Sequence, residues 1–338
     1  EVQIQILVLS HDKENDPGVL AMNASSAALN LSEIPFGGVV SGVTVGKVDG
    51  KLVINPTLAQ LASSSLDLTV AGTADSLMMV EGEAAEITEE EMVEALALAH
   101  AEIKKLCAFQ KEFFTPVAKP KNTWEKGKTL ADEIGPQVRA LGQAQLEQAN
   151  RTSGKLERQK AVDEAKAKIL ADWKAKNQEA KPEAEAAVGA ILEDMESQII
   201  RLAITREGRR VDGRKLNEVR AVSVELGVIP RAHGSAIFTR GQTQALVAAT
   251  LGSGSDAMIM DELTSRWEKS FYLHYNFPSF SVGETKPNRG PGRREIGHGM
   301  LAERAVKAVM PKTGWPYITR VVSEILESNG SSSMASVC

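Results

Sequence analysis

The stretch Glu327-Ser328-Asn329-Gly330-Ser331-Ser332-Ser333 combines the residue types that hold an anion. Glycine lets backbone approach closely, serines donate hydroxyls, and free amides at a helix start add partial positive charge. Placed after a strand pattern and before a helical one, the stretch describes a phosphate cradle. The same cluster also fits an ordinary loop or cap, and it is no Walker loop, because no Gly-Lys-Ser follows. A second stretch, Lys286 to Gly299, sets Arg289, Arg293 and Arg294 among glycines and places His298 where a helix should begin. Guanidiniums spaced in this way can converge on phosphodiester oxygens. The plainer alternative is an exposed basic loop in which Glu295 pairs one arginine and His298 caps or packs. Arg209-Arg210-Val211-Asp212-Gly213-Arg214 reads alone as a charged turn, and Phe238-Thr239-Arg240-Gly241-Gln242-Thr243 as a hairpin with a polar tip. Trp267, Phe271, Tyr272, Tyr275, Phe277 and Phe280 crowd into one stretch that could stack bases, fill a core or meet another subunit. No His-Glu-x-x-His, Cys-x-x-Cys or Gly-x-Ser-x-Gly occurs, so zinc and serine hydrolase chemistry lack support.

These residues need elements to position them. Val2 to Leu9 begins with apolar and polar residues in alternation, as a half-buried strand does, and Asp16-Pro17 signs a helix reaching about Leu29. Asp49-Gly50 between valine-rich flanks predicts a hairpin within 38–54, with further strands at 66–70 and 77–80. Thr88 and Glu91 form a capping box for a helix whose apolar face carries Met92, Leu96, Ala99, Ile103 and Leu106. From 116 to 205 Ala, Glu, Lys and Gln dominate, Trp124 and Trp173 are the only aromatics, and breaks at Pro120, Pro136 and Pro182 suggest about four helices. The mixed charge of these helices fits a solvated surface better than a nucleic-acid face. Strands return at 222–226, 235–239, 245–251, 272–277 and 318–326, with a helix from about Gly299 to Met310. The strand-turn-helix at 2–19 overlays faintly on the one at 319–333, as if the chain held the rear of one unit and the front of a related one.

With 338 residues and a net charge of −5, the chain is large enough for two or three cores and too acidic for blanket phosphate neutralisation, although a local basic groove remains open. Cys107 and Cys338 have no disulfide or metal spacing, which points to a reducing compartment. No apolar run spans a membrane and no signal peptide opens the chain. It starts in a strand pattern without methionine and stops in a helical one, and so reads as a piece of something longer.

Five motifs occur in order: Arg-Val-Asp-Gly-Arg at 210–214, Phe-Thr-Arg-Gly-Gln-Thr-Gln-Ala at 238–245, His-Tyr-Asn-Phe-Pro at 274–278, Arg-Arg-Glu-Ile-Gly-His-Gly at 293–299, and Ser-Glu-Ile-Leu-Glu-Ser-Asn-Gly-Ser-Ser-Ser-Met-Ala-Ser at 323–336. Together they closely resemble the polynucleotide phosphorylase family. Ile-Pro-Phe-Gly-Gly at 34–38, Leu-Asp-Leu-Thr-Val-Ala-Gly-Thr at 66–73 and Met-Val-Glu-Gly-Glu-Ala at 79–84 extend the resemblance upstream, and it is weakest across the helical insert.

The resemblance implies an α+β fold with two partial RNase PH-like cores, of the ribosomal-protein-like βαβ kind, separated by an all-α domain. The rear of the first core would occupy 1–115, the helical domain 116–205 and the front of the second core 206–338. It also implies a homotrimeric ring enzyme that shortens RNA from its 3′ end, with inorganic phosphate as nucleophile, nucleoside diphosphates as products and magnesium as cofactor; the reverse reaction polymerises the diphosphates. Ser332 and Ser333 would hold phosphate, with Ser331 and Asn329 shaping the cradle. Arg293 and Arg294 would bind the RNA phosphate or the attacking anion, and His298 would support them. The metal-binding aspartates of the second core are expected beyond Cys338. In the first core, leucine stands where the earlier aspartate would be, and Asp16-Pro17-Gly18-Val19 falls on the serine loop, where a carboxylate would repel phosphate; that core is expected to be inactive. Expected partners are RNA 3′ ends and an RNA-degradation complex, and the expected location is a bacterial cytoplasm or an organelle. The competing class is a non-catalytic ring scaffold of exosome type, but a scaffold needs neither serine cradle nor arginine pair.

Overall fold

The computed structural model describes residues 2–123, 127–179, 181–287, 290–311 and 313–338. Trp124 and, within the basic stretch, Asn288 and Arg289 lie outside the described residues. Two compact units emerge, one made of residues 1–123 and 221–338, the other of 124–220. The helical unit thus differs at both ends from the 116–205 read from composition.

In the first unit, α1 (Gly18–Leu31) precedes the hairpin β1 (Ser41–Val48) and β2 (Lys51–Ile54), then α2 (Leu58–Leu61), β3 (Leu66–Gly72), β4 (Leu77–Ala84) and α3 (Glu89–Phe114). Among the described residues these strands form an antiparallel sheet in the order β2-β1-β3-β4. Val48 pairs with Lys51, so Asp49 and Gly50 close the hairpin alone, at φ 48° and 77°, a conformation Asp and Gly tolerate. Thr88 and Glu91 cap α3 reciprocally as expected. The fully buried stripe of α3 is Ala95, Ala99, Ile103 and Cys107, while Met92, Leu96 and Leu106 pack at its margin against Val43, Val45, Leu68 and Val70. The expected strand at 2–9 does not form: these residues belong to no sheet, and Leu9 is 91% exposed. Alternation supplies a strand with an apolar face but no neighbour to pair with, and without a ladder the backbone gains nothing by staying extended.

The same unit continues with β5 (Val222–Leu226), β6 (Gly234–Arg240), β7 (Thr243–Gly252), the short pair β8 (Met258–Asp261) and β9 (Arg266–Lys269), then β10 (Phe271–Asn276), α7 (Arg293–Val309), β11 (Ile318–Glu327) and α8 (Ser332–Val337). The sheet order is β10-β11-β7-β6-β5, antiparallel except for β10 and β11, which α7 connects as a parallel crossover. Phe238, Ala245, Leu273, Tyr275, Ala302, Ile325 and Ala335 form its core. The pair β8–β9 escaped the sequence reading because each strand is only four residues long.

The helical unit contains α4 (Leu130–Ala149), α5 (Lys155–Lys176) and α6 (Pro182–Glu207), three helices among the described residues rather than about four. Pro136 sits inside α4 instead of breaking it. Val138 and Leu146 of α4 are buried against Ile169, Trp173, Val188 and Met195, and this packing outweighs the one backbone bond that proline forfeits. Among the described residues no helix is long and apolar enough to cross a membrane.

Candidate active site

The chemistry-bearing residues gather where α7 and α8 meet β10, and their placement begins with where α7 starts. Glu295 accepts the Gly292 amide at 2.6 Å, closing the helix start so that α7 begins at Arg293, six residues ahead of the expected Gly299. Arg293, Arg294 and His298 therefore stand on the first turns of a helix, not in a loop before it, and Glu295 spends its carboxylate on the cap rather than on an arginine. Both arginines are exposed, and neither has an ion-pair or hydrogen-bond partner among the described residues. Two cations at a helix N-terminus oppose the helix dipole, at a cost of about 0.3–1 kcal/mol each. An anion bound there would reverse that penalty.

The serine loop is held from the opposite side by the β6–β7 hairpin. Its tip, Gly241-Gln242, aims Arg240 and Thr243 at residues 329–331. Thr243, fully buried, accepts the Asn329 amide at 3.0 Å and donates to the Gly330 carbonyl at 3.2 Å. Arg240 Nη2 donates to the carbonyls of Gly330 at 3.0 Å and Ser331 at 3.3 Å, and Gln242 receives the Asn329 side-chain amide at 3.4 Å. Ser331 takes the left-handed conformation at φ 52°, which turns the chain into α8. The polar hairpin tip read from sequence is thus the support of the cradle, and Arg240 brings a third guanidinium to its rim.

The three serines are not equivalent. Ser332 is buried, and its Oγ lies 2.7 Å from the Tyr275 hydroxyl. Ser333 is half-buried and its hydroxyl makes no hydrogen bond among the described residues, whereas Ser331 is exposed. Tyr275 is central to the arrangement. Its ring packs edge-on to the His298 imidazole at 5.5 Å and stacks on Phe277 at 6.4 Å. Burial pushes its phenol pKa up, partly offset by the Arg294 charge, so the hydroxyl stays protonated. Gly299 lies buried against β10, where a Cβ would come within ordinary contact of Tyr275 Cβ at 3.4 Å, so α7 packs closely on that strand. One tyrosine thereby joins His298 of α7 to Ser332 of α8. Neither Tyr275 nor the Arg240–Thr243 tip was singled out as functional from the sequence, although both lie inside the motifs that carry the resemblance.

Other expectations resolve differently. Arg210 and Arg214 both donate to the Glu218 carbonyl at 3.0 Å, and Arg214 Nε also donates to Asp212 at 2.8 Å, so this motif is a self-braced charged turn. Of the aromatic group, Phe271 and Tyr275 are core, while Trp267 and Phe280 are exposed. Phe280 lines a cleft of about 740 Å³ with Asn276, Lys286, Gly292, Glu295 and Glu324, immediately beside the start of α7. In the first part of the chain, Asp16 Oδ1 accepts the Gly18 amide at 2.6 Å, so a carboxylate occupies the start of α1. The chain overlay fails in its strand but holds in its helix start. Among the described residues no group of three or more His, Cys, Asp or Glu side chains could hold a metal ion.

Residues 218–338 match the 3′ exoribonuclease family, domain 1; residues 38–102 match the same family's domain 2; and residues 133–215 match the polyribonucleotide nucleotidyltransferase RNA binding domain. The domain-2 match precedes the domain-1 match, as expected of the rear of one core followed by the front of another. The whole chain is similar to proteins named polyribonucleotide nucleotidyltransferase: 48% identical over 340 residues to one from Listeria welshimeri and 46% over 339 residues to one from Geotalea uraniireducens. It covers 47% and 48% of those proteins, so it spans about half the length of the curated relatives it matches. A solved structure, rice Rrp46, is similar over 38% of this chain and 56% of its own at 23% identity, with a TM-score of 0.29, too low to inform the fold. The resemblance to polynucleotide phosphorylase is borne out along all 338 residues.

Proposed function

We propose that the protein containing this chain is a phosphorolytic 3′-to-5′ exoribonuclease, which transfers the terminal nucleotide of RNA to inorganic phosphate. An oxygen of inorganic phosphate attacks the phosphorus of the last phosphodiester, the ribose 3′ oxygen of the preceding nucleotide leaves, and a nucleoside diphosphate is released. Both reactants are anions, so a catalyst must supply positive charge and alignment more than covalent chemistry.

The observation that carries this reading is the convergence of His298 and Ser332 on Tyr275, with Arg293 and Arg294 on the first turn of the helix that carries His298. Unpaired Arg293 and Arg294 face one anion from the start of α7, and the loop at 329–333 receives the other. The cleft beside Phe280 offers an aromatic face for a base near the RNA 3′ end. The relatives' names favour the enzyme over a ring scaffold of exosome type, and a scaffold would have no reason to keep two unpaired arginines at a helix start.

Assembly as a homotrimer, a requirement for magnesium, association with an RNA-degradation complex and a cytoplasmic location in bacteria belong to the same proposal and rest on the resemblance. The test uses the full-length protein and RNA labelled uniformly along its length. Shortening that depends on phosphate and yields nucleoside diphosphates is the expected result; monophosphates released without phosphate would refute it.

A further inference from the structure

We propose that Tyr275 is a positioning residue for the phosphate site, acting through Ser332: its hydroxyl donates to Ser332 Oγ, which leaves the serine's own proton to face the bound anion. This rests on the phosphorolytic reading and assigns the donor direction within it.

A serine hydroxyl has one donor and two acceptor positions. With Oγ 2.7 Å from the Tyr275 hydroxyl, either oxygen could be the donor. If Ser332 donated to Tyr275, only lone pairs would meet an incoming phosphate, and they would repel it. In the opposite direction Tyr275, Ser332 and phosphate form a chain in which each bond polarises the next. Tyr275 can hold that role because burial keeps its phenol neutral and, among the described residues, its hydroxyl has no hydrogen-bond partner besides Ser332. Ser332 is restrained as well, since its carbonyl accepts the Ser336 hydroxyl at 3.2 Å and Ser336 Oγ lies 2.7 Å from Ser323 Oγ on β11. The oxygen that meets phosphate is therefore fixed by β10 and β11, the parallel pair at one edge of the sheet, and not by the exposed loop alone. Because the same ring abuts His298, the two anion-facing helices are registered against a single side chain.

Tyr275→Phe keeps the ring and its contacts with His298 and Phe277 and removes only the donor. Inorganic phosphate is titrated calorimetrically into the full-length protein, Y275F, S332A and the double variant, and RNA binding without phosphate is followed by fluorescence anisotropy. Y275F should weaken phosphate binding about three- to tenfold, the equivalent of one neutral hydrogen bond, and S332A, which loses the contact to the anion itself, about tenfold or more. The double variant should be no weaker than the weaker single, and RNA affinity should not move in Y275F. Unchanged phosphate affinity in Y275F, losses that multiply in the double variant, or RNA affinity falling in step would overturn the assignment. Should Y275F fail to fold in thermal melts, unchanged phosphate affinity in S332A would overturn it alone. A wild type that binds phosphate with the expected variant pattern yet cleaves RNA without phosphate would support the assignment while overturning the phosphorolytic reading.

Discussion

Replacing Thr243 by valine keeps the side chain's shape and deletes the hydroxyl that accepts the Asn329 amide and donates to the Gly330 carbonyl, at 3.0 and 3.2 Å. The carbonyl keeps Arg240 Nη2 at 3.0 Å, so the main loss is the bond from the half-buried Asn329 amide to the fully buried Thr243 hydroxyl. An unsatisfied buried donor costs about 1–3 kcal/mol. If the lower half of that range is expressed as loss of the ordered loop before phosphate binds, the phosphate KM rises about 5- to 30-fold, since about 1.4 kcal/mol is tenfold. Saturating phosphate restores the loop, so kcat should stay within about a factor of three, and the KM for RNA should not change, because Arg293 and Arg294 stand on α7. Thr243→Ser should recover most of the loss. Steady-state phosphorolysis by the full-length protein, with phosphate and RNA varied in turn and thermal melts as a check on folding, measures each quantity. A phosphate KM equal to wild type in a T243V protein of lowered Tm would show that the hairpin supports the fold and not the cradle.

Two further predictions follow from charge. Changing Arg293 and Arg294 together to alanine should lower kcat/KM by about two to four orders of magnitude, since charge-assisted contacts to phosphate are worth about 1.5–3 kcal/mol each, while the Tm holds or rises as repulsion at the helix start is relieved; near-normal turnover would reduce these arginines to surface. His274 on β10 has its pKa lowered by burial and by the Arg320 and Lys269 charges, against the pull of Glu303. The unfolded chain then binds a proton more readily than the folded one below the ordinary histidine value of about 6.5, so stability should fall as pH drops from about 7 towards 5. His274→Gln should flatten that fall, and parallel Tm-versus-pH curves for the two proteins would contradict the assignment.

Where structure depends on neighbours in sequence, the residues alone determined it. Asp49-Gly50 closed the β1–β2 hairpin because those two residues tolerate positive φ, and Thr88 with Glu91 started α3 because a cap is satisfied within four residues. The order of motifs from Arg210 to Ser336 was likewise enough to bring out the resemblance and, with it, Arg293, Arg294, His298 and the serine loop. What depends on groups far away in the chain could not be read in this way. The alternation at 2–9 states which face a strand would bury but not whether a partner strand lies beside it, and none does among the described residues. Pro136 forbids a hydrogen bond but does not reveal that Val138 and Leu146 would find enough buried area to carry α4 past it. Above all, a serine in sequence has no direction. Only the approach of β10 turns the Ser332 hydroxyl onto Tyr275, 57 residues away, and only the β6–β7 tip, 86 residues from Asn329, holds the loop still; hydrogen bonds are directional, and what lies in their direction is decided by tertiary packing.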